Sequence, residues 1–86
     1  QPLYTPGHAP GHIALYMPSH RLVFSGDALF AGSVGRWDLP GGNQHVLLGS
    51  IVSKLLPLGD DVRVLPGHGE PTTIGIERRE NPYLQW

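Results

Sequence analysis

Apolar residues are concentrated in two short stretches within the first third of the chain, and this pattern predicts two strands. The stretches run from His12 to Met17 and from Arg21 to Ser25, and both are rich in β-branched and aromatic residues. The segment 18–20, Pro-Ser-His, is long enough to connect antiparallel neighbours. We therefore predict an antiparallel β-hairpin over residues 12–25.

A helical spacing of apolar residues appears in the second half of the chain. Asn43 is a good N-cap, and the helix is predicted to run from Asn43 to Leu56, ending before Pro57. The apolar stripe that packs this helix on the core consists of Val46, Leu47, Leu48, Ile51, Val52 and Leu55. A second, shorter helix is expected to be capped by Thr72 or Thr73 and to run through Glu80.

Three further segments complete the predicted organisation. Val62 to Leu65 is a short apolar run after a Gly-Asp-Asp turn and predicts another strand. Residues 28–42 are rich in glycine and end in Leu-Pro-Gly-Gly, which is typical of a long ordered loop. The apolar tail, Tyr83, Leu84 and Trp86, is expected to pack back on the body.

Composition narrows the function classes. The 86 residues carry a net charge of −1 with 15% charged residues, so no basic surface is expected to bind nucleic acid. The lack of cysteine excludes a disulfide framework, a thiolate metal site and a cysteine nucleophile. No apolar run approaches the roughly 20 residues that cross a bilayer. We expect a soluble, cytoplasmic protein that binds neither nucleic acid nor membrane.

Candidate chemistry is carried by three residues that each follow a glycine in a predicted loop. They are His8, Asp27 and His68. Taken singly, each is more simply a turn residue. Taken together, two imidazoles and a carboxylate suit zinc, iron or manganese better than calcium.

Four motifs occur in an order that resembles a known family. Residues 5–12 read Thr-Pro-Gly-His-Ala-Pro-Gly-His, residues 24–30 Phe-Ser-Gly-Asp-Ala-Leu-Phe, residues 35–40 Gly-Arg-Trp-Asp-Leu-Pro, and residues 66–69 Pro-Gly-His-Gly. They resemble the later motifs of the metallo-β-lactamase superfamily, in its glyoxalase II-like (hydroxyacylglutathione hydrolase-like) branch. The resemblance implies an α+β fold in which residues 1–86 form the C-terminal half of an αβ/βα sandwich, with short antiparallel strands and two helices on one face.

The same resemblance implies roles for individual residues. His8 would bind a first metal ion, His68 a second, and Asp27 would bridge both as the catalytic carboxylate; the ions would be zinc (Zn), two per intact site, with iron or manganese as alternatives. His12 is interpreted as a neighbour that supports a ligand or packs beside it, because Pro10 and Gly11 rule out a helical ligand pair. Arg36 is interpreted equally as a substrate-binding residue or as the partner of Asp38 in a salt bridge.

The implied reaction is hydrolysis of a thioester, such as the acyl-glutathione lactoylglutathione, by a water molecule held between two metal ions. The family's His-x-His-x-Asp-His loop is absent from these residues, and the chain opens on Gln1 without an initiator methionine. We therefore expect a fragment that is inactive alone and that pairs with a missing N-terminal half or with itself. We call this expected longer protein the parent protein.

Two alternatives stay open. One is an iron-dependent persulfide dioxygenase of the same superfamily, which shares the Gly-Arg-x-Asp loop. The other is a non-catalytic interaction half that pairs with a complementary chain. Antibiotic hydrolysis is disfavoured, since zinc β-lactamases use a cysteine where this chain has Asp27.

Overall fold

A computed structural model describes residues 1–9, 11–38 and 40–85. Its main sheet has five strands in the order β1-β2-β3-β6-β7, and a separate two-stranded ribbon is formed by β4 and β5. The strands are β1 (Pro2–Tyr4), β2 (Ile13–Met17), β3 (Leu22–Gly26), β4 (Leu29–Phe30), β5 (Ser33–Val34), β6 (Arg63–Pro66) and β7 (Thr72–Thr73).

The predicted hairpin is confirmed. Strands β2 and β3 pair antiparallel, with Leu15 opposite Phe24. A short 3-10 turn, Pro18–His20, connects them, and Arg21 closes it in the left-handed region with φ 50°. The expectation of antiparallel strands needs one correction: β3 and β6 run parallel, with Val23 opposite Val64. The reason is the helical crossover between them, which returns the chain to run in the same direction.

Both predicted helices are present. Helix α1 (Gln44–Ser50) is capped by Asn43, whose Oδ1 accepts the Val46 amide at 3.0 Å. A π-helical turn and a 3-10 turn carry the helical path on to Leu58, beyond the predicted end. Proline is tolerated there because it lies in the first turn of the 3-10 segment, where its missing N–H costs nothing. Helix α2 (Ile74–Glu80) is capped by Thr73, as expected.

The two helices and one face of the sheet share a single core. Along β2 and β3 the residues alternate between buried and exposed, and the buried ones join the helices. The fully buried members include Ala14, Val23, Leu47, Ile51, Leu55, Val64 and Ile74. The opposite face of the same strands remains exposed and is also apolar, with Ile13, Leu15, Met17 and Phe24. This is the α+β arrangement with helices on one face that the sequence predicted.

Sequence reasoning missed the shortest strands. Strand β1 was not predicted, and the ribbon β4–β5 lies inside the predicted loop 28–42. Strands of two or three residues carry no periodic signal. The tail packs back as expected, with Leu84 buried and the Tyr83 ring 5.8 Å from that of Trp37, whereas Trp86 lies outside the described residues. Within the described ranges, no helix is long and apolar enough to cross a membrane.

Candidate metal centre

The three predicted ligands lie together at one end of the sheet. Asp27 directly follows β3, His68 follows β6, and His8 lies in the loop after β1. Because β3 and β6 are parallel, their carboxyl ends meet at the same edge and bring Asp27 and His68 together. His8 Nε2 lies 3.7 Å from Asp27 Oδ2, and His68 Nε2 lies 3.6 Å from Asp27 Oδ1. The structure thus brings together three residues that are widely separated in the sequence.

Each imidazole faces a different oxygen of the one carboxylate. Two ligand atoms of a tetrahedral ion lie roughly 3.3–3.6 Å apart, so each imidazole–carboxylate separation fits an ion between the pair. Within the described part of the chain, no group of three His, Cys, Asp or Glu side chains is close enough to hold a common ion. Each of the two pairs, His8 with Asp27 and His68 with Asp27, is thus spaced to offer two donor atoms to an ion.

The ring of His8 is oriented by the backbone. Its Nδ1 lies 2.9 Å from the Arg36 carbonyl oxygen, which can only accept a hydrogen bond. In the neutral ring Nδ1 therefore donates and Nε2 presents a lone pair towards Asp27. This is the arrangement that commonly orients metal-bound histidines. His68 is less enclosed: its side chain is 83% exposed and its ring lies 6.2 Å from that of Phe30.

His12 contacts the site without offering a free ligand atom. Its Nε2 accepts the main-chain N–H of Asp27 at 3.1 Å, so its Nδ1 is the donor to Thr5 Oγ1 at 2.8 Å. Burial, followed by the nearby His8, lowers the pKa of the His12 imidazole and favours this neutral form. Both ring nitrogens are engaged, which fits the supporting role predicted for His12. His20 and His45 are exposed, on the hairpin turn and on α1.

Two glycines leave room for the Asp27 carboxylate and its backbone. A Cβ at Gly35 would lie 1.8 Å from the Asp27 carbonyl oxygen, and one at Gly67 would lie 3.1 Å from Asp27 Oδ1. The first contact is impossible for any larger residue. Gly35 and Gly67, which both lie in the sequence motifs, thus have a direct steric reason.

A cleft of about 220 Å³ opens beside the carboxylate and is lined by His8, Asp27, Phe30, Gly35, Arg36 and His68. A second cleft of about 340 Å³ shares Gly35 and Arg36 with it and reaches Trp37 and Tyr83. A larger one of about 440 Å³ lies on the exposed side of α1 and contains no predicted ligand, so we give it no role in the chemistry.

Arg36 reaches the cleft but is paired in the structure. Its Nε and Nη2 donate to the two oxygens of Asp38 at 3.1 and 3.2 Å, and this contact holds the pKa of Asp38 below its usual value. Both side chains are exposed. The salt bridge is therefore present, and a substrate-binding role for Arg36 stays a prediction.

Two buried polar residues near the site were missed by sequence reasoning. Thr5 holds the ring of His12, and Glu77 of α2 accepts a hydrogen bond from the turn between β4 and β5. For Thr5 no sequence signal exists beyond its place in the first motif. Glu77 had one, since it lies three residues after Ile74 on the face of α2 that enters the core.

Comparisons with known proteins agree with the fold and the motifs. The family model of the metallo-beta-lactamase superfamily matches residues 1–68. The hydroxyacylglutathione hydrolase GloC of Haemophilus influenzae is 50% identical over 82 residues, which cover 95% of this chain and 39% of GloC.

Two crystal structures are also similar. BLEG-1, described as a B3 metallo-beta-lactamase, matches with a TM-score of 0.97 and 46% identity, over 100% of this chain and 41% of its own. TTHA1623 in a di-iron-bound form matches with a TM-score of 0.93 and 55% identity, over 98% of this chain and 42% of its own. The chain thus spans about two-fifths of the length of the relatives it matches.

Proposed function

Because the chain belongs to the metallo-beta-lactamase superfamily, we propose that it supplies part of the active site of a metal-dependent hydrolase that cleaves thioesters. The similarity to GloC, whose name states hydrolysis of a hydroxyacylglutathione, favours an acyl-glutathione such as lactoylglutathione as the substrate. The isolated chain is proposed to be inactive, because it lacks the His-x-His-x-Asp-His loop.

The observation that carries this proposal is the pair of imidazoles on opposite oxygens of Asp27. We propose that His8 and Asp27 hold one ion and that His68 and Asp27 hold the other. Zinc is our first choice; iron and manganese suit the same donors, and a relative has been solved with two irons. When bound, the ions would supply a water of lowered pKa and polarise the substrate carbonyl.

The residues of this chain would orient that chemistry. The Arg36 carbonyl fixes the tautomer and ring position of His8, and His12 holds the main chain of Asp27 in place. A thiolate leaving group, with a conjugate pKa of about 8.5, needs little protonation on departure. A thioester would therefore make little demand on the cleft for a general acid.

Arg36 is proposed to bind a carboxylate of the substrate. It lines the cleft beside the candidate ligands, and its guanidinium already holds a carboxylate in a two-pronged contact, that of Asp38. A substrate carboxylate would replace Asp38 or share the guanidinium with it. Asp38→Asn should therefore leave the cleft intact while freeing Arg36.

We propose that this chain joins the rest of the parent protein through the exposed face of the sheet. We also propose that the parent protein is cytoplasmic. Ile13, Leu15, Met17 and Phe24 are between 40 and 49% exposed and lie on neighbouring strands. A contiguous apolar patch of this kind marks an interaction surface. The matched relatives are more than twice as long, which supports the missing portion of the same protein as the occupant. Self-association is the competing outcome.

The test is a thioester hydrolysis assay on the parent protein with S-lactoylglutathione. His8→Ala and Asp27→Ala should each lower kcat/KM by at least about 10³-fold, since both remove metal chemistry worth several kcal/mol. His20→Ala is the matched control, because His20 is exposed on the hairpin turn, and it should be fully active.

Other substrates decide between the alternatives. Persulfide-dependent oxygen uptake by a parent that does not hydrolyse thioesters would identify a dioxygenase. Hydrolysis of a β-lactam in its place would identify the activity named for BLEG-1, which the sequence disfavoured. A parent that turns over none of these substrates would contradict the enzymatic proposal.

A further inference from the structure

Glu77 is a buried carboxylate that the proposed chemistry does not use. It is 2% exposed, and within the described part of the chain no basic side chain lies at ion-pair distance from it. Three donors satisfy it instead. Oε1 accepts the Gly32 amide at 2.8 Å and Asn81 Nδ2 at 2.9 Å, and Oε2 accepts Thr72 Oγ1 at 2.7 Å.

A carboxylate in this position calls for an explanation beyond stability. Burying an acid is costly, and an apolar residue of similar size often stabilises a core at least as well. Glu77 lies in α2 beside the buried Ile74, where an apolar residue would continue the core stripe. What an apolar side chain could not do is hold the Gly32 amide, 45 residues earlier in the chain.

Glu77 and Asn81 together fix the turn of the β4–β5 ribbon. Glu77 holds the amide of Gly32, and Asn81 Nδ2 also donates to the carbonyl of Ser33 at 3.0 Å. The ribbon itself consists of two strands of two residues each. A two-stranded hairpin is marginal in water even when it is longer. The ribbon therefore depends on contacts such as these to keep one position.

The segment 28–36, which contains this ribbon, contacts or adjoins all three candidate ligands. The amide of Gly35 donates to the Ala28 carbonyl at 3.0 Å, directly after Asp27. The ring of Phe30 lies against that of His68. The carbonyl of Arg36 orients His8. A displacement of the ribbon would therefore disturb the contacts with His68 and His8 and the segment that directly follows Asp27.

We propose that the Glu77–Asn81 pair is a positioning device that holds the β4–β5 ribbon against the candidate metal centre and so sets its affinity for metal. This inference rests on the proposed metal site, and it assigns Glu77 and Asn81 no contact with substrate. The pair acts through Gly32 and Ser33 on the ribbon, and through the ribbon on the orientation of the ligands.

The experiment measures zinc affinity of the parent protein by competition with a chromophoric chelator, at a temperature where every variant is folded. Glu77→Leu and Asn81→Ala each remove a contact to the ribbon turn and should weaken zinc binding about tenfold. Glu77→Gln keeps an acceptor for Gly32 and Asn81, while its amide can donate to Thr72 Oγ1, so it should restore most of the affinity.

Thr72→Val is the matched control. It removes a buried hydrogen bond from the same carboxylate but leaves both contacts to the ribbon, so it should lower stability without changing zinc affinity. Wild-type affinity in folded Glu77→Leu and Asn81→Ala would overturn the positioning role, and equal weakening in Thr72→Val would show general loosening and overturn it too. If Glu77→Leu does not fold, Asn81→Ala and the Glu77→Gln comparison decide. A wild-type parent that binds no zinc would instead refute the metal site itself.

Discussion

The hydrophobic core between the sheet and the helices differs from the candidate metal centre in how far its side chains are buried. In the core, side chains such as Val23, Leu47 and Leu55 are fully buried, and every buried side-chain nitrogen or oxygen of the described residues has a hydrogen-bond partner. At the metal centre, the side chains of Asp27 and His68 are 41% and 83% exposed. The core side chains are therefore enclosed by the described residues, whereas the candidate ligands remain accessible.

The largest effect that separates the two regions is expected from Asp27→Ala in the parent protein. Its carboxylate is 41% exposed and faces two imidazoles, so kcat/KM should fall at least about 10³-fold while the metal-free protein keeps its thermal midpoint. Steady-state kinetics and calorimetry of the metal-free forms measure the two quantities. A large drop in the midpoint would mean that Asp27 also holds the fold together.

The opposite result is expected from Leu55→Ala. Leu55 is fully buried beneath the sheet, and its truncation leaves a cavity that should lower the free energy of unfolding by about 2–5 kcal/mol. Zinc affinity should stay that of the wild type once the protein is folded. Urea unfolding and a chelator competition at low temperature give both values. A parallel loss of zinc affinity would show that the core and the centre are coupled.

The exposed apolar face of the sheet is the surface that we propose to be covered in the parent protein. Leu15 is 47% exposed, so Leu15→Ala should cost less than about 1 kcal/mol in the isolated chain. In the parent protein the same change should cost about 2–3 kcal/mol, because the side chain would then be buried. Denaturant unfolding of both forms provides the test. Equal small costs would mean that this face stays exposed in the parent.

The smallest effect is expected at the surface pair of Arg21 and Asp61, which belongs to neither region. The hydrogen bond from Arg21 lowers the pKa of Asp61 in the folded protein. The stabilisation that this pair gives the folded protein is therefore present above the unfolded-state pKa of about 3.9. It is lost as the pH falls through the lower pKa of Asp61 in the folded state. Asp61→Asn should slightly lower the thermal midpoint at pH 7 and leave it unchanged at pH 2. If Asp61→Asn lowered the thermal midpoint more at pH 2 than at pH 7, the predicted pH dependence would be wrong.

The features that the sequence predicted are those with a local signal. The hairpin and both helices follow from apolar runs and from the caps Asn43 and Thr73. The candidate ligands follow from motif order and from residues that succeed a glycine. The structure brings these candidate ligands together and engages both ring nitrogens of His12.

The features that the sequence did not predict depend on partners far apart along the chain. The parallel pairing of β3 with β6 joins residues about forty positions apart. The hydrogen bond from Gly32 to Glu77 joins residues 45 positions apart, and the place of Glu77 on the core face of α2 does not indicate which residue it would bind. One unpredicted feature is local instead. The helical path continues past Pro57 because its geometry changes from α to π to 3-10, and the spacing of apolar residues does not indicate this change.

The most direct test is a metal count on the parent protein after saturation with zinc and dialysis, by elemental analysis. We predict about two ions in the wild type, about one in His8→Ala and in His68→Ala, and none tightly held in Asp27→Ala. A double variant of His8 and His68 should resemble Asp27→Ala. A single ion in the wild type that is lost with either histidine, or two ions retained in Asp27→Ala, would contradict the shared-carboxylate site.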